Sequence, residues 1–455
     1  MTKLRRLKIE EFRHVAAGTE LHFRDSLNLL LGKNGSGKTT LLNLIVMALR
    51  GDFTEILEEP FQLEYELEAD QDRIEVRLRN TLRFSSVGFP PPSGQGTVWG
   101  WASLSGQGTG WGDSVLTRAN SGARPSVIGE ITLSGPNFTP PITVSFEGER
   151  VVIRTPEKVL KELTDFFVGP SDIANLPDIV SSIQLADSGE SYGPAAARLM
   201  TVFGVNYSVK RLDESLELLT QAISNSRLFS ARNIPQPGQL RGGLLFFGDC
   251  PVSILGQANV QLTQHNDADE IRLSTKDDTA EFLSKFIRLV GLDVANAKLA
   301  RTARRPIGYT EEVDFGNLRF EFSRRDRSIL SYSHLSYGQK RLLAFYYQLA
   351  FTSPVVVADE LVNGMHHEWI EACLEDLSSR QAFLTSQNPL LLDYLSFETA
   401  KEVQSSFVLC RNVTQDERTQ LTWENMSAEE AQGFFDAYQV GIQHVSEILR
   451  TRGLW

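Results

Sequence analysis

Cysteine is scarce in this chain. Only Cys250, Cys373 and Cys410 occur among 455 residues, and they lie far apart. Without a CxxC pair, neither a thiolate zinc site nor a disulfide framework is supported, and reduced, buried thiols are the plain expectation. Long apolar runs are missing as well: no stretch approaches the roughly 18 residues needed to span a bilayer. The basic start, MTKLRRLKIEEF, places Glu10 and Glu11 where a signal peptide needs its apolar segment. A cytoplasmic protein with no membrane association is expected. Positive charge is also short, with 45 Lys and Arg against 57 Asp and Glu, a formal charge of −12. That balance argues against general coating of DNA, which needs clustered cations on phosphates. Two local basic groups, Arg301, Arg304 and Arg305, and Arg324, Arg325 and Arg327, read as solvated faces or as local contacts.

What is present is enough to build a large core. Hydrophobic residues make up 41% of the chain, and its length suggests two or three domains. The first 31 residues alternate as strands do, and the apolar run Leu27–Leu31 leads directly into Gly32. From Lys38 to Leu49 the apolar residues Leu41, Leu42, Ile45, Ala48 and Leu49 fall at helical spacing. Phe61–Arg83 alternates again and predicts a hairpin or meander. Composition changes near Ser85. From there to about Arg124 the chain is rich in Gly, Ser, Pro and Trp, and SGQGTVWG at Ser93–Gly100 recurs as SGQGTGWG at Ser105–Gly112. Such a segment reads as a flexible or hairpin-like surface insertion, or as a docking loop anchored by Trp99, Trp101 and Trp111.

Further on, Lys158–Phe167 and Asp213–Ser224 predict helices, and Leu244–Phe247 and Ser253–Leu255 predict strands. A helix is expected over Thr279–Val290 and strands near Gly316–Phe322. The tail is expected to end in one helix opened by the capping box of Ser427 and Glu430, with an apolar stripe of Phe434, Tyr438, Ile442, Val445 and Leu449.

Three short stretches carry chemistry. Gly32-Lys33-Asn34-Gly35-Ser36-Gly37-Lys38-Thr39, followed by Thr40, completes the pattern GxxxxGK[ST] between an apolar strand and a helix. The glycines let backbone N–H groups turn toward phosphate oxygens, and the helix adds its positive end. Lys38 suits the β- and γ-phosphates, and the Thr39 hydroxyl suits magnesium. Val355–Ala358 is wholly apolar, as expected for a strand covered on both faces. It ends in Asp359-Glu360, suited respectively to the magnesium shell and to deprotonating a water. Leu335-Ser336-Tyr337-Gly338-Gln339 starts a helix about 20 residues before that pair. Ser336, Gly338 and Gln339 suit a second anion site, though Ser336 and Gly338 also suit a plain N-cap and turn.

With these residues, the chain resembles the non-transporter ABC ATPases of the SMC, RecF and OLD group. It is particularly similar to the stand-alone ATPases, loosely called AAA, of prokaryotic anti-phage defence operons such as PARIS and Septu. FRHV at Phe12–Val15, LNLLLGKNGSGKTTLL, LSYGQKR, ADELVNGMHHEW and TSQNPLLLDYL carry the likeness, which covers roughly residues 1–80 and 280–400. It implies that the LSYGQ signature completes the nucleotide site of a partner subunit. The family usually has a histidine, often in THSP, where Gln387 stands here. Glutamine can bond a γ-phosphate but cannot become cationic near neutral pH, so hydrolysis is expected to be slow or stimulated by a partner. His366, where the family's loop often reads NGLH, suits a cross-subunit contact or a helix start. The family's magnesium-contacting glutamine has no evident counterpart. OLD-type nucleases carry a further nuclease domain. No Asp-x-Asp with an upstream Glu follows Leu395, and Asp267 and Asp269 lie in a polar run that reads as a solvated loop. Any nuclease is expected to be a separate protein.

The expected fold is α/β, an ABC-type P-loop NTPase with an inserted mixed α/β subdomain and a C-terminal helix. The expected division is residues 1–84 and 279–410 for the two parts of the ATPase lobe, 85–124 for the Gly/Trp insertion, 125–278 for the inserted subdomain and 411–455 for a strand and helix. ATP and Mg2+ are the expected cofactors, with Glu360 and Gln387 catalytic. A homodimer or higher oligomer is expected, acting on a separate effector encoded nearby. A RecF-like repair or loading ATPase that binds DNA with ATP is the alternative.

Overall fold

Hydrophobic alternation along four short parallel strands divides the interior into two cores. The computed structural model describes residues 2–84, 123–147, 150–163, 193–206, 209–213, 228–233, 245–248, 268–277, 280–307, 310–350, 355–415, 418–454 and a few positions between 254 and 261. Strands and helices are numbered in chain order. The central sheet holds β3 (Leu27–Leu31), β10 (Arg211–Leu212), β17 (Val355–Ala358), β18 (Gln381–Thr385), β19 (Phe407–Gln415) and β20 (Arg418–Asn425), in the order β10-β17-β18-β3-β19-β20. All neighbours pair in parallel except β20, which returns antiparallel on β19.

Along β3, Leu29 and Leu31 enter one core and Leu30 the other. Along β17, Val356 and Ala358 oppose Val355 and Val357, and β18 and β19 alternate likewise. Strands buried on both faces need such unbroken apolar runs.

One core is closed by an eight-stranded antiparallel sheet. It comprises β1 (Thr2–Phe12), β2 (Thr19–His22), β4 (Phe61–Ala69), β5 (Asp72–Phe84), β6 (Ala123–Gly135), β7 (Phe138–Glu147), β8 (Arg150–Arg154) and β9 (Val159–Leu163). Helices α1 (Lys38–Arg50) and α2 (Gly193–Asn206) fill the space between the sheets, through Leu41, Leu42 and Ile45 on one and Leu199 and Phe203 on the other. The second core lies under α3 (Glu281–Val290), α4 (Tyr337–Leu349), α5 (His367–Leu377), α6 (Pro389–Asp393) and α7 (Ala400–Ser406), with α8 (Ala428–Gln439) and α9 (Val445–Thr451). A third, antiparallel sheet joins this side: β11 (Leu228–Asn233), β12 (Leu245–Gly248), β13 (Glu270–Ser274), β14 (Val294–Ile307) and β15 (Thr310–Ser323), with β16 (Ile329–Ser331) on β15.

Within 125–278, β6 to β9 extend the sheet begun by β1, because β5 and β6 pair from Arg73–Ser134 to Phe84–Ala123. Strands β11 to β13 join the third sheet.

Three local expectations are corrected. Val159, Leu160 and Leu163 mimic a helical stripe, yet Val159–Leu163 is an edge strand, since pairing with β8 satisfies its backbone. No helix forms over 158–163, the described part of that expected span. Ile254, the one described residue of Ser253–Leu255, is helical. The single C-terminal helix is two. The Ser427–Glu430 capping box is present, but the chain leaves α8 after Gln439, turns at Gly441 with φ 70°, and starts again with Glu447 bonded back to the His444 N–H. Ile442 falls in the break and is 82% exposed. Leu245–Gly248 is the strand expected at Leu244–Phe247. The Gly/Trp repeat, Cys250 and all but the first residue of Asp213–Ser224 lie outside the described residues. Cys373 and Cys410 are free and buried, and burial pushes the Cys410 thiol up to about 12.

Candidate functional site

The central sheet delivers its polar residues to one edge. At the C-terminal end of β3 the backbone turns through Gly32 (φ 153°), Gly35 (φ 80°) and Gly37 (φ 83°) into α1. Two of these glycines are forced by neighbours. A Cβ on Gly32 would stand 2.1 Å from the Cys410 carbonyl oxygen, and one on Gly37 would stand 2.9 Å from Leu421 and 3.0 Å from Trp423. Lys38 is buried, and its Nζ spans the loop, donating to the Gly32 and Lys33 carbonyls at 2.7 and 3.3 Å. Ser36 is buried, while Lys33, Asn34, Gly35 and Thr39 are exposed and Thr40 is half-buried.

Thr39 Oγ1 donates to Asp359 Oδ2 at 2.6 Å. Thr385, at the end of β18, donates its hydroxyl to the other Asp359 oxygen and accepts the Glu360 N–H at 2.9 Å. Glu360 itself is a non-glycine residue at φ 53°, a conformation that costs on the order of 1–3 kcal/mol and persists only where its surroundings impose it. Its Oε2 accepts the Gln387 N–H at 2.7 Å, and Gln387 Nε2 donates to Asn34 Oδ1 at 3.1 Å. Thus Asn34, Gln387, Glu360, Thr385, Asp359 and Thr39 form one hydrogen-bonded chain. Burial pushes the Glu360 carboxyl above its usual range and the adjacent Asp359 charge adds to the rise, against the Gln387 N–H. A carboxyl raised by burial is a stronger proton acceptor than an ordinary one.

Residues that the sequence did not single out hold this group in place. Trp423 Nε1 donates to the Ser36 carbonyl at 3.1 Å and Asn412 Nδ2 to the Gly35 carbonyl at 2.8 Å, both from the β19–β20 hairpin. Arg211, on β10, brings a guanidinium nitrogen to 3.5 Å from Asp359 Oδ2. A strand of two residues gives no periodic signal, so it could not be found by pattern.

Ser336, Gly338 and Gln339 form a second group at the start of α4. The Ser336 Oγ accepts the Gln339 N–H at 3.3 Å and the Gln339 side chain accepts the Ser336 N–H at 2.9 Å, a complete capping box. Gly338 is buried against the loop after Glu360, where a Cβ would meet the Gly364 carbonyl oxygen at 2.1 Å. Ser336 is exposed. His366 occupies the N-cap position of α5 with its ring edge-on to Trp369, centroids 4.8 Å apart. Arg301 pairs with Asp269 and Arg305 with Asp314, while Arg324, Arg325 and Arg327 sit exposed in the turn between β15 and β16.

The donor set fits the expected cofactors. Thr39 and Asp359 present oxygen donors side by side, as magnesium bound mainly through phosphates and water requires. Among the described residues no group of three or more His, Cys, Asp or Glu could hold a metal.

Comparison with known proteins agrees with this chemistry. Residues 6–87, with the phosphate loop, match the family described as an AAA domain. Residues 244–393, with the signature, Asp359, Glu360 and Gln387, match the family described as AAA domain, putative AbiEii toxin, Type IV TA system. A stretch of 46 residues is 48% identical to the DNA double-strand break repair Rad50 ATPase of Methanopyrus kandleri. Both stretches that carry the motifs thus fall within AAA-domain matches. The Rad50 stretch spans 10% of this chain and only 5% of that protein. Among solved structures, the SMC head domain from Thermotoga maritima is 13% identical over 93% of this chain and 99% of that one, at a TM-score of 0.36. An Smc head bound to the C-winged helix domain of ScpA is 10% identical over 94% and 98%, at 0.38. No helix among the described residues is long and apolar enough to cross a membrane.

Proposed function

We propose that this chain binds and hydrolyses MgATP and closes as a dimer around it, each subunit offering its Ser336 helix start to its partner's nucleotide. The observation that carries this reading is the Thr39–Asp359–Thr385–Glu360–Gln387–Asn34 chain of hydrogen bonds. It joins the phosphate loop to a proton acceptor at one end of a parallel sheet. Lys38 and the loop amides bind the phosphates. Magnesium, when bound at Thr39 and Asp359, supplies charge neutralisation on the β- and γ-phosphate oxygens. Glu360 orients a water and takes its proton, and Gln387 fixes the Glu360 carboxylate through its backbone N–H. Purified chain assayed for phosphate release against dilution tests this. Turnover per chain should fall as the dimer dissociates, and undiminished turnover at any dilution would refute the composite site.

In the cell, this ATPase serves as sensor and regulator of a separate effector, a nuclease, in prokaryotic anti-phage defence. The motif likeness to stand-alone defence ATPases supports that role. Co-purification with the product of a neighbouring gene tests it. The Rad50 stretch favours a second reading, a RecF-like repair or loading ATPase. Filter binding with DNA ends, with and without ATP, distinguishes the two, because only the second predicts ATP-dependent, salt-sensitive retention.

A further inference from the structure

We infer that Arg341, the last residue of the LSYGQKR stretch and one with no role assigned so far, is a positioning residue that sets the Glu360 backbone and ties it to the signature helix; the inference rests on the ATPase reading above. Arg341 lies one turn into α4 and is 3% exposed. Among the described residues none of its hydrogen bonds goes to a carboxylate. Nε donates to the Leu361 carbonyl at 3.1 Å, one terminal nitrogen to the Glu360 carbonyl and, at 3.4 Å, to that of Asp359, and the other to the Tyr337 hydroxyl at 3.0 Å. A buried guanidinium that cannot lose its proton must find acceptors for its donors. Here three successive carbonyls supply them.

Those carbonyls belong to the residues on either side of, and at, the positive φ of Glu360. The left-handed turn there exposes neighbouring carbonyls to a common donor, and only a planar fork reaches all three. The same turn aims the Glu360 carboxylate at the Gln387 N–H. Arg341 therefore holds the conformation that places the proton acceptor. It does so from a helix whose first residues, Ser336 and Gly338, face outward and against Gly364 respectively. A shift of α4 when a partner's nucleotide engages Ser336 would be passed to Glu360 of the same chain through this side chain.

The test compares Arg341→Met and Arg341→Lys with wild type for ATP turnover, for nucleotide affinity by direct binding and for thermal melting. The Met variant should lose about 10²-fold in kcat, the scale of a roughly 1 Å misplacement. Its ATP affinity should stay within about threefold, since Lys38 and the phosphate loop are untouched. Lys cannot form the fork and should restore kcat only in part. If Met does not fold, the Lys variant alone still carries the test, because a drop in kcat without a drop in affinity is required of it as well. A kcat within about twofold of wild type in either variant, or parallel losses of kcat and affinity, would overturn the inference. A wild-type chain that binds ATP and never hydrolyses it would instead overturn the ATPase reading and take this inference with it.

Discussion

Thr39 donates a 2.6 Å hydrogen bond to Asp359 across 320 residues of chain. That contact closes the gap between the helix start that follows β3 and the end of β17, with β18 between the two strands. In a parallel sheet all C-terminal ends lie on one edge, so polar residues placed just after apolar runs converge whatever their distance in sequence. The Lys38 ammonium is drawn onto the Gly32 and Lys33 carbonyls of the phosphate loop. Lys38→Ala should abolish nucleotide binding, read by titration with a fluorescent ATP analogue, and should leave the melting temperature nearly unchanged. Retained affinity would remove the phosphate loop from the proposed site.

Glu360→Gln tests the proton acceptor. Turnover should fall by ~10²–10⁴-fold while ATP still binds, and the ATP-bound dimer should accumulate in size-exclusion chromatography with light scattering. The carboxyl's raised pKa adds a second expectation. In the fold the charged form is disfavoured relative to the unfolded chain, so the contribution of Glu360 to stability is greatest at low pH and is lost as pH rises through the elevated pKa. Gln has no such loss. The melting temperature of Glu360→Gln should therefore gain on wild type as pH rises from acid toward neutrality. A difference that is flat with pH would show that burial does not strain this carboxyl.

Gly338→Ala sets two effects against each other. Alanine favours a helix over glycine by about 1 kcal/mol. The new Cβ, however, would stand 2.1 Å from a backbone carbonyl oxygen of Gly364, and overpacking against backbone costs about 1–3 kcal/mol. The clash should win, lowering stability in urea unfolding and slowing turnover by displacing α4 from the loop after Glu360. A stabilised variant would mean that Gly364 yields freely.

Much of the site was legible in sequence, because each motif joins a strand signal to a turn or helix signal. Leu27–Leu31 before Gly32 and Val355–Ala358 before Asp359 are such junctions, and both lie where the pattern places them. The residues that brace the site were not legible. Trp423 and Thr385 act through tertiary contacts between strands remote in sequence. Arg341 looks like any helical cation until its burial is known. Val159–Leu163 shows the limit of periodicity, since five residues of mixed character fit a helix face and an edge strand equally. Ile442 continued the helical stripe on paper, but Gly441 ended the helix first.

Trp423 gives the most direct test of bracing from outside the motifs. Its indole N–H holds the Ser36 carbonyl and its ring packs on Gly37. Trp423→Phe keeps most of the ring and loses the hydrogen bond, at a cost of about 1 kcal/mol. Trp423→Ala should cost about 3–5 kcal/mol. Both should weaken ATP binding, measured directly, because the loop amides lose their fixed orientation.

Ser336→Arg tests the proposed composite site by separating its two halves. Ser336 is exposed, and among the described residues its hydrogen bonds stay within its own helix start, so a long cation there should leave each chain folded and its own phosphate loop intact. Lys38, Thr39 and Asp359 would still bind MgATP, and titration should give an affinity within about threefold of wild type. Closure onto a second subunit should fail, since the Arg side chain would occupy the space above the helix start that the partner's phosphates need. Combined with Glu360→Gln, it should abolish the ATP-trapped dimer, and alone it should bring turnover to the level of wild type at high dilution. If Ser336→Arg hydrolyses ATP at the full rate, each chain works alone, and the start of α4 is an N-cap and nothing more.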